Sequence, residues 1–495
     1  MRLMRGHILF IVFCFAGLAS VAKVKLPAII SDNMVLQCGM KTPVWGSANP
    51  GEKIQVQLNG KTYLSTADKC GCWFVKMDNL KPGGPFEMTV TGTENKLIIR
   101  NVLIGEVWLA SGQSNMEFGI QTELNGEKAI QEATDSSIRF FYVPMAASLE
   151  EKKDIVAVSS ESLNAKWVVC SPETMAKNWA WHGFSAVGYY FAQRIRKTTG
   201  TAIGMIGSYK GGTEAQTWIS HSGFSLKPIL PQYLKEHQRL LDEAKTMDKK
   251  ADNKGPSNLY NAMISPIYPF GIRGVIWYQG ESNGDNLIEA LEYKDIFPRL
   301  IKDWRKNWQQ GNFPFLYVQL PNFKKTAQTP SEGNWAWVRE AQSKTLSLPH
   351  TGMAVTIDLG DPIDIHPKDK AEVGRRLALV ANQQVYKKNI PASGPVFRSM
   401  KIKNNEIWLS FRSVGSGLSV NSLKGFGIAG TDGKFIWAKA KVKGDRVVVS
   451  NETIPEPVAV RYDWGDNPFG NLTNREGLPA SPFRTDNWIP ETKKK

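Results

Sequence analysis

Three short stretches of this chain combine a serine, a glycine or a carboxylate in spacings that could carry nucleophilic chemistry. The first is Ser111-Gly112-Gln113-Ser114-Asn115-Met116, directly after the apolar run Val102–Ala110. A serine just past a strand can sit on a tight turn, and a helix opening there points N–H groups at a developing oxyanion. The second is Gly207-Ser208-Tyr209-Lys210-Gly211-Gly212-Thr213. Glycines let backbone approach a ligand closely, so Gly212 could donate its N–H to an oxyanion. The third, Trp277-Tyr278-Gln279-Gly280-Glu281-Ser282-Asn283-Gly284, contains a literal G-x-S-x-G and also follows a strand-like run. A serine nucleophile needs a base. Past the leader described below, the histidines are His182, His221, His237, His350 and His366. His237 falls in a charged stretch and is expected to be exposed. His366 closes Asp358-Leu359-Gly360-Asp361-Pro362-Ile363-Asp364-Ile365-His366, where a carboxylate could hold the imidazole and stabilise its cation. A calcium site from these aspartates is the competing reading, but EF-hand spacing is absent, and so is the zinc motif H-E-x-x-H.

The elements that must position these loops alternate in type. From Asn101, strand-like and helical runs follow one another, the signature of an α/β domain with a parallel sheet. The expected strands are Val102–Ala110, Thr201–Ile206, Gly274–Tyr278, Phe313–Leu320 and Met353–Leu359. The expected helices are one capped by Ser185 and stopped by Gly200, then Tyr293–Trp308, Trp335–Leu348 and Glu372–Val385. Ligands of such sheets bind outside the carboxyl ends of the strands, where all three loops lie. Residues 227–255 are charged and read as a possible insertion. Residues 23–100 have short alternating runs between turn signals, expected of a small β-sandwich, and residues 391–495 are β-like again. The expected organisation is therefore β domain, α/β core at 101–390, β domain.

Arg2 and Arg5 before the apolar run Ile8–Leu18, then Ser20-Val21-Ala22, read as a cleavable secretory leader at 1–22. No later apolar run is long enough to span a membrane. The chain is expected outside the cytoplasm, periplasmic or extracellular. There Cys38 could bridge to Cys70 or Cys72. The formal charge of +15 over 495 residues favours anionic partners. The basic residues are dispersed, however, so nucleic acid is not expected and an acidic sugar is the better fit. Oligomeric state is not legible.

In order along the chain, several blocks resemble the sialate O-acetylesterase family, a branch of the SGNH hydrolases. They include Gly105-Glu106-Val107-Trp108 leading into Ser111–Met116, and Gly211-Gly212-Thr213 with Trp218. Leu259–Ile264, Gly274–Asn283, Asp303-Trp304-Arg305 and Arg339-Glu340-Ala341-Gln342 come next. Asp358–Gly374, Arg461-Tyr462 and Gly477–Arg484 complete the set. The resemblance covers nearly all of the chain after the leader. It implies a three-layer α/β/α core with a parallel sheet, flanked by β-sandwich-like domains. It also implies a serine esterase that removes O-acetyl groups from a sugar without a cofactor or metal.

By that resemblance Ser114 is the nucleophile and His366 the base. The N–H groups of Ser114 and Gly212, with the Gln279 amide, would form the oxyanion hole. Gln113, Asn115, Glu281, Arg339 and Gln342 would line the substrate site, with Arg339 free to pair a sugar carboxylate. The pattern departs from many SGNH enzymes, which place an Asp three residues before the His. That position is Ile363 here, so the acid is Asp364, or Glu281, or is replaced by a backbone carbonyl. Three rival readings stand beside this one: an esterase for acetylated xylan or another glycan, an α/β-hydrolase using Ser282, Asp358 and His366, and a sugar-binding protein without activity.

Overall fold

The computed structural model describes residues 23–155, 165–177, 181–247, 250–419 and 422–490. The expected leader lies outside them. Seven strands form the spine of the core: β1 Lys96–Gly112, β2 Ile138–Tyr142, β3 Trp167–Val169, β4 Ala202–Tyr209, β5 Gly274–Tyr278, β6 Phe315–Val318 and β7 Thr351–Ala354. Their order is β7-β6-β5-β1-β4-β2-β3, parallel throughout except for β3, which runs antiparallel to β2. β1 is buried without a break from Val102 to Gly112, the mark of a central strand covered on both faces.

Helices supply the covers. The very short α1, Ser114–Glu117, follows β1 at once. The longer ones are α2 Ala186–Thr199, α3 Pro231–Met247, α4 Leu287–Trp308, α5 Asn334–Thr345 and α6 Lys370–Gln384. α2 packs on α6, and α4 on α5. Their ends follow local chemistry. The Ser185 hydroxyl accepts from Gly188 N–H to start α2, and Gly200 stops it in the left-handed conformation at φ 68°. Asn286 and Asp369 cap α4 and α6 in the same way. α2 buries Val187, Phe191 and Ile195, one stripe at four-residue spacing.

The boundary drawn at residue 101 falls inside β1. Strands Lys53–Leu58, Lys61–Thr66 and Gly83–Thr91 extend the first half of β1 as an antiparallel sheet, and Val35–Gln37 lies parallel to it. Thr42–Ser47 and Cys72–Met77 form a separate ribbon. The N-terminal strands therefore share one apolar core with the α/β layers.

The C-terminal part has a core of its own, built on Ile407, Leu409, Ile428, Val447 and Val460. It has two four-stranded sheets. Its strands are β8 Val396–Lys403, β9 Glu406–Arg412, β10 Phe426–Ala429, β11 Ile436–Trp437, β12 Lys439–Lys443, β13 Arg446–Ser450, β14 Ala459–Tyr462 and β15 Phe483–Arg484. The sheet orders are β8-β9-β13-β12 and β11-β10-β14-β15. A ladder of rings and guanidinium groups joins this unit to α5. Arg484 lies over Trp337 and Trp464, and Arg461 over Trp464 and Phe435.

Two expectations need correction. Cys38, Cys70, Cys72 and Cys170 are all free; Cys38 is buried and its thiol donates to Glu106 at 3.2 Å. His237 is buried as well: α3 turns it inward with Leu240, and its Nδ1 lies 3.0 Å from the Pro256 carbonyl oxygen.

Candidate active site

Ser114, Gly211–Gly212 and Gln279–Asn283 leave the carboxyl ends of β1, β4 and β5, which are neighbours in the sheet. The turn at the end of β1 demands glycine. Gly112 has φ 138°, and a Cβ there would come within 2.1 Å of the Tyr278 carbonyl oxygen. Gln113 stays extended with its N–H on the same carbonyl at 3.0 Å, and Ser114 then opens α1. The β4 loop packs against it. A Cβ on Gly211 would sit 3.2 Å from the Ser114 Cβ, and the Gly211 N–H donates to Glu117 at 2.6 Å. Burial raises the Glu117 carboxyl above its ordinary range. Gly212 follows at φ 68°.

His366 arrives from the loop between β7 and α6. Its Nε2 lies 2.9 Å from the Ser114 Oγ. The loop folds on its own carboxylates: Asp361 accepts from the N–H groups of Ile363 and Asp364, and Asp364 accepts from that of His366 at 2.9 Å. The same Asp364 oxygen is 3.5 Å from the imidazole Nδ1. Trp181 stands edge-on to the ring, with centroids 4.8 Å apart. Burial and the nearby Lys370 lower the imidazole's pKa, with Asp364 opposing them. A neutral imidazole is what a general base requires.

Behind this pair lies a buried polar triangle. Asn115 donates to Glu281 at 2.6 Å and to the Ile365 carbonyl at 3.0 Å, and it accepts from Lys370 Nζ at 2.5 Å. Lys370 is fully buried and faces the rings of Phe118 and Tyr278. Desolvation brings its pKa down to about 7. The Glu281 carboxyl is raised, again by burial. The Asn115 bond to Ile365 fixes the backbone immediately before His366. Sequence reasoning missed Lys370, Trp181 and Glu117. Lys370 lies four residues after His366, but lysines are almost never fully buried, so nothing local separated it from a solvated one.

Several residues expected to face substrate hold loops together instead. Arg339 is fully buried, and its guanidinium donates to the carbonyls of Leu320, Pro321, Gly465 and Asp466. Four of its five N–H donors are spent on these carbonyls and the group is shut off from solvent, so it does not face a sugar carboxylate. Gln342 donates to Gln279 and Val318 carbonyls and accepts from Leu320 N–H. The Gln279 amide donates to the Thr213 carbonyl and to Asn283, so it is not free for an oxyanion. Gln113 accepts from the N–H groups of Gly280 and Ser282. Glu281 meets Asn115 rather than His366, which leaves Asp364 as the carboxylate beside the imidazole.

The rival constellation does not assemble. Ser282 Oγ is 3.4 Å from the Gln113 amide, and Asp358 is forked by Arg376 at 2.6 and 2.7 Å. No cluster able to hold a metal ion occurs among the described residues.

Residues 104–383 match the family model for carbohydrate esterase, sialic acid-specific acetylesterase. The chain belongs to this family. It is 33% identical over 410 residues to human sialate O-acetylesterase, spanning 75% of this chain and 73% of that one. To the mouse sialate O-acetylesterase it is 31% identical over 433 residues, 76% of each chain. Among solved structures, a carbohydrate acetylesterase from Xanthomonas citri superposes with a TM-score of 0.83 at 38% identity, covering 94% of this chain and 100% of that one. This member of the family is thus a carboxylic ester hydrolase that acts on O-acetyl groups of carbohydrates.

Proposed function

We propose that the chain is an exported serine esterase that deacetylates O-acetylated sialic acid through an acetyl-enzyme on Ser114. The observation that carries the reading is the 2.9 Å contact between Ser114 Oγ and His366 Nε2 at the carboxyl end of the central strand, where burial and Lys370 lower the imidazole's pKa. His366 Nε2 takes the hydroxyl proton as Ser114 attacks the acetyl carbonyl. The N–H groups of Ser114 and Gly212 stabilise the oxyanion, each such donor being worth about 3–4 kcal/mol. Collapse expels the sugar oxygen, which takes its proton from His366. Water, deprotonated by His366, then attacks the acetyl group and releases acetate. Asp364 orients the imidazole and offsets its charge. No residue in this sequence of steps calls for a cofactor. The sialate assignment is supported by the names of the human and mouse relatives. Export rests on the leader at residues 1–22, and no described helix is long and apolar enough to cross a membrane.

The test is acetate release from 9-O-acetylated sialic acid and from acetylated xylan, with rapid quenching to find an acetyl adduct on the Ser114 peptide. Preference for the sialic substrate with the adduct on Ser114 is expected. Release from xylan alone would overturn the substrate and keep the mechanism. An adduct on another residue would overturn the mechanism.

A further inference from the structure

We propose that the outer face of the β8-β9-β13-β12 sheet is a docking surface for an anionic polysaccharide. The argument begins with alternation. On β9, Ile407, Leu409 and Phe411 point into the C-terminal core, so Glu406, Trp408 and Ser410 point outward. Pairing then fixes what stands beside them. Trp408 lies opposite Lys401 on β8 and Val448 on β13, and Val448 lies opposite Lys441 on β12. One row further, Glu406 faces Lys403, and Ser450 faces Lys439. On the other side, Ser410 faces Arg446, which faces Lys443. Six cations therefore share one flat face about 14 Å across, at the usual strand spacing. All six are exposed.

Few acids balance them. Glu406 accepts from Trp408 Nε1 at 3.0 Å, Glu452 pairs with Lys439 at 2.7 Å, and Asp445 sits in the turn between β12 and β13. Lys403 and Lys443 reach over the Trp408 ring from the two edge strands, β8 and β12, with Nζ at 4.3 and 4.8 Å from its centroid. Ammonium groups gathered on one ring lie within a Debye length of each other, so they repel until an anion lies between them. A rigid sheet that holds such charges in rows complements a chain with repeated negative groups. The face lacks the protruding apolar side chains that would anchor it in a lipid surface: Trp408 is half-buried and Val448 is buried. A carbohydrate esterase meets polysaccharides. The proposal uses only that class assignment and is independent of the Ser114 reading.

The test is gel retardation by polygalacturonate, with neutral dextran as the control polymer. The four-site variant Lys401→Glu, Lys403→Glu, Lys441→Glu, Lys443→Glu is compared with a charge-matched one, Lys81→Glu, Lys96→Glu, Lys197→Glu, Lys302→Glu, at exposed positions elsewhere. The wild type is expected to be retarded by polygalacturonate and not by dextran. The face variant should lose about tenfold or more in affinity, and the control about twofold or less. Both variants should release acetate from a small activated ester at the wild-type rate, which shows the fold and the Ser114 site intact. No retardation of the wild type, equal losses in the two variants, or tighter binding to phosphatidylglycerol vesicles than to polygalacturonate would each overturn the proposal.

Discussion

Two serines follow neighbouring parallel strands in this molecule, and only one has the surroundings of a nucleophile. Ser282 has the better motif, a literal G-x-S-x-G after β5. Yet it opens a short 3₁₀ turn, and its hydroxyl lies 3.4 Å from the Gln113 amide. Ser114 has the poorer motif, but its hydroxyl lies 2.9 Å from His366, beside the glycine loop of β4. The difference comes from which loops converge on each hydroxyl. The Gln113 side-chain oxygen, Oε1, accepts from the N–H groups of Gly280 and Ser282, so the residue just before Ser114 fixes the rival loop as a wall of the site. A motif names a turn; the strand order decides what the turn faces.

Removing the hydroxyl at position 114 should separate the two serines most sharply. Ser114→Ala is expected to lower kcat for acetate release by roughly 10⁴- to 10⁶-fold, leaving the residual rate that binding and oxyanion donors alone provide. Steady-state kinetics on an activated acetyl ester measures this, and a loss below tenfold would move the chemistry elsewhere.

Next in size comes the support behind Ser114, which Ser282 lacks. Lys370→Met preserves most of the volume but leaves the Asn115 oxygen without its donor. Asn115 holds the Ile365 carbonyl, so His366 should shift, with kcat falling about 10- to 100-fold. The pH profile gives this variant a distinct sign. Burial and Lys370 lower the His366 pKa from 6.5, so the wild-type acid limb should lie below that value. Removing the cation raises the imidazole's pKa, and the limb should move to higher pH. A purely structural loss would lower the plateau and leave the limb in place.

How much of this was legible in the sequence depends on the range of the interactions involved. Ser185 and Gly200 fixed both ends of α2 because caps are local, and Gly274–Tyr278 is a strand as expected. The expected strand Met353–Leu359 is shorter and earlier, Thr351–Ala354, because the chain leaves the sheet to build the His366 loop. The N-terminal strands could not be seen joining β1, since strand pairing is non-local. Arg339 illustrates the same limit at the site. An arginine near a glycan site suggests a carboxylate partner, but four carbonyls from two separate segments surround it, and no spacing announces them. Lys370 and Trp181 were hidden likewise, since burial against His366 and Asn115 is a property of the fold.

Asp364 should matter less than a buried triad acid does. It is half-exposed and 3.5 Å from Nδ1, so water screens its charge. Asp364→Asn keeps an acceptor for the His366 N–H and removes the negative charge. A loss of about tenfold or less in kcat is expected, against the ~10⁴-fold that follows from neutralising a buried triad aspartate. Because Asp364 raises the imidazole's pKa, its removal should move the acid limb to lower pH, opposite to Lys370→Met. Limbs moving in the same direction would show that the two groups do not act on His366 as their positions indicate.

The smallest effect is expected at the rival serine itself. Ser282→Ala removes one long contact to Gln113 but keeps the Ser282 N–H that the Gln113 oxygen accepts from at 3.2 Å. The hydroxyl carries no base and no orienting acid, so kcat should stay within about threefold and stability within about 1 kcal/mol of wild type. Kinetics and thermal unfolding of Ser282→Ala beside Ser114→Ala make the contrast direct. If Ser282→Ala lost activity as Ser114→Ala should, while unfolding at the wild-type temperature, strand order would have failed as a guide and the G-x-S-x-G turn would be the nucleophile after all.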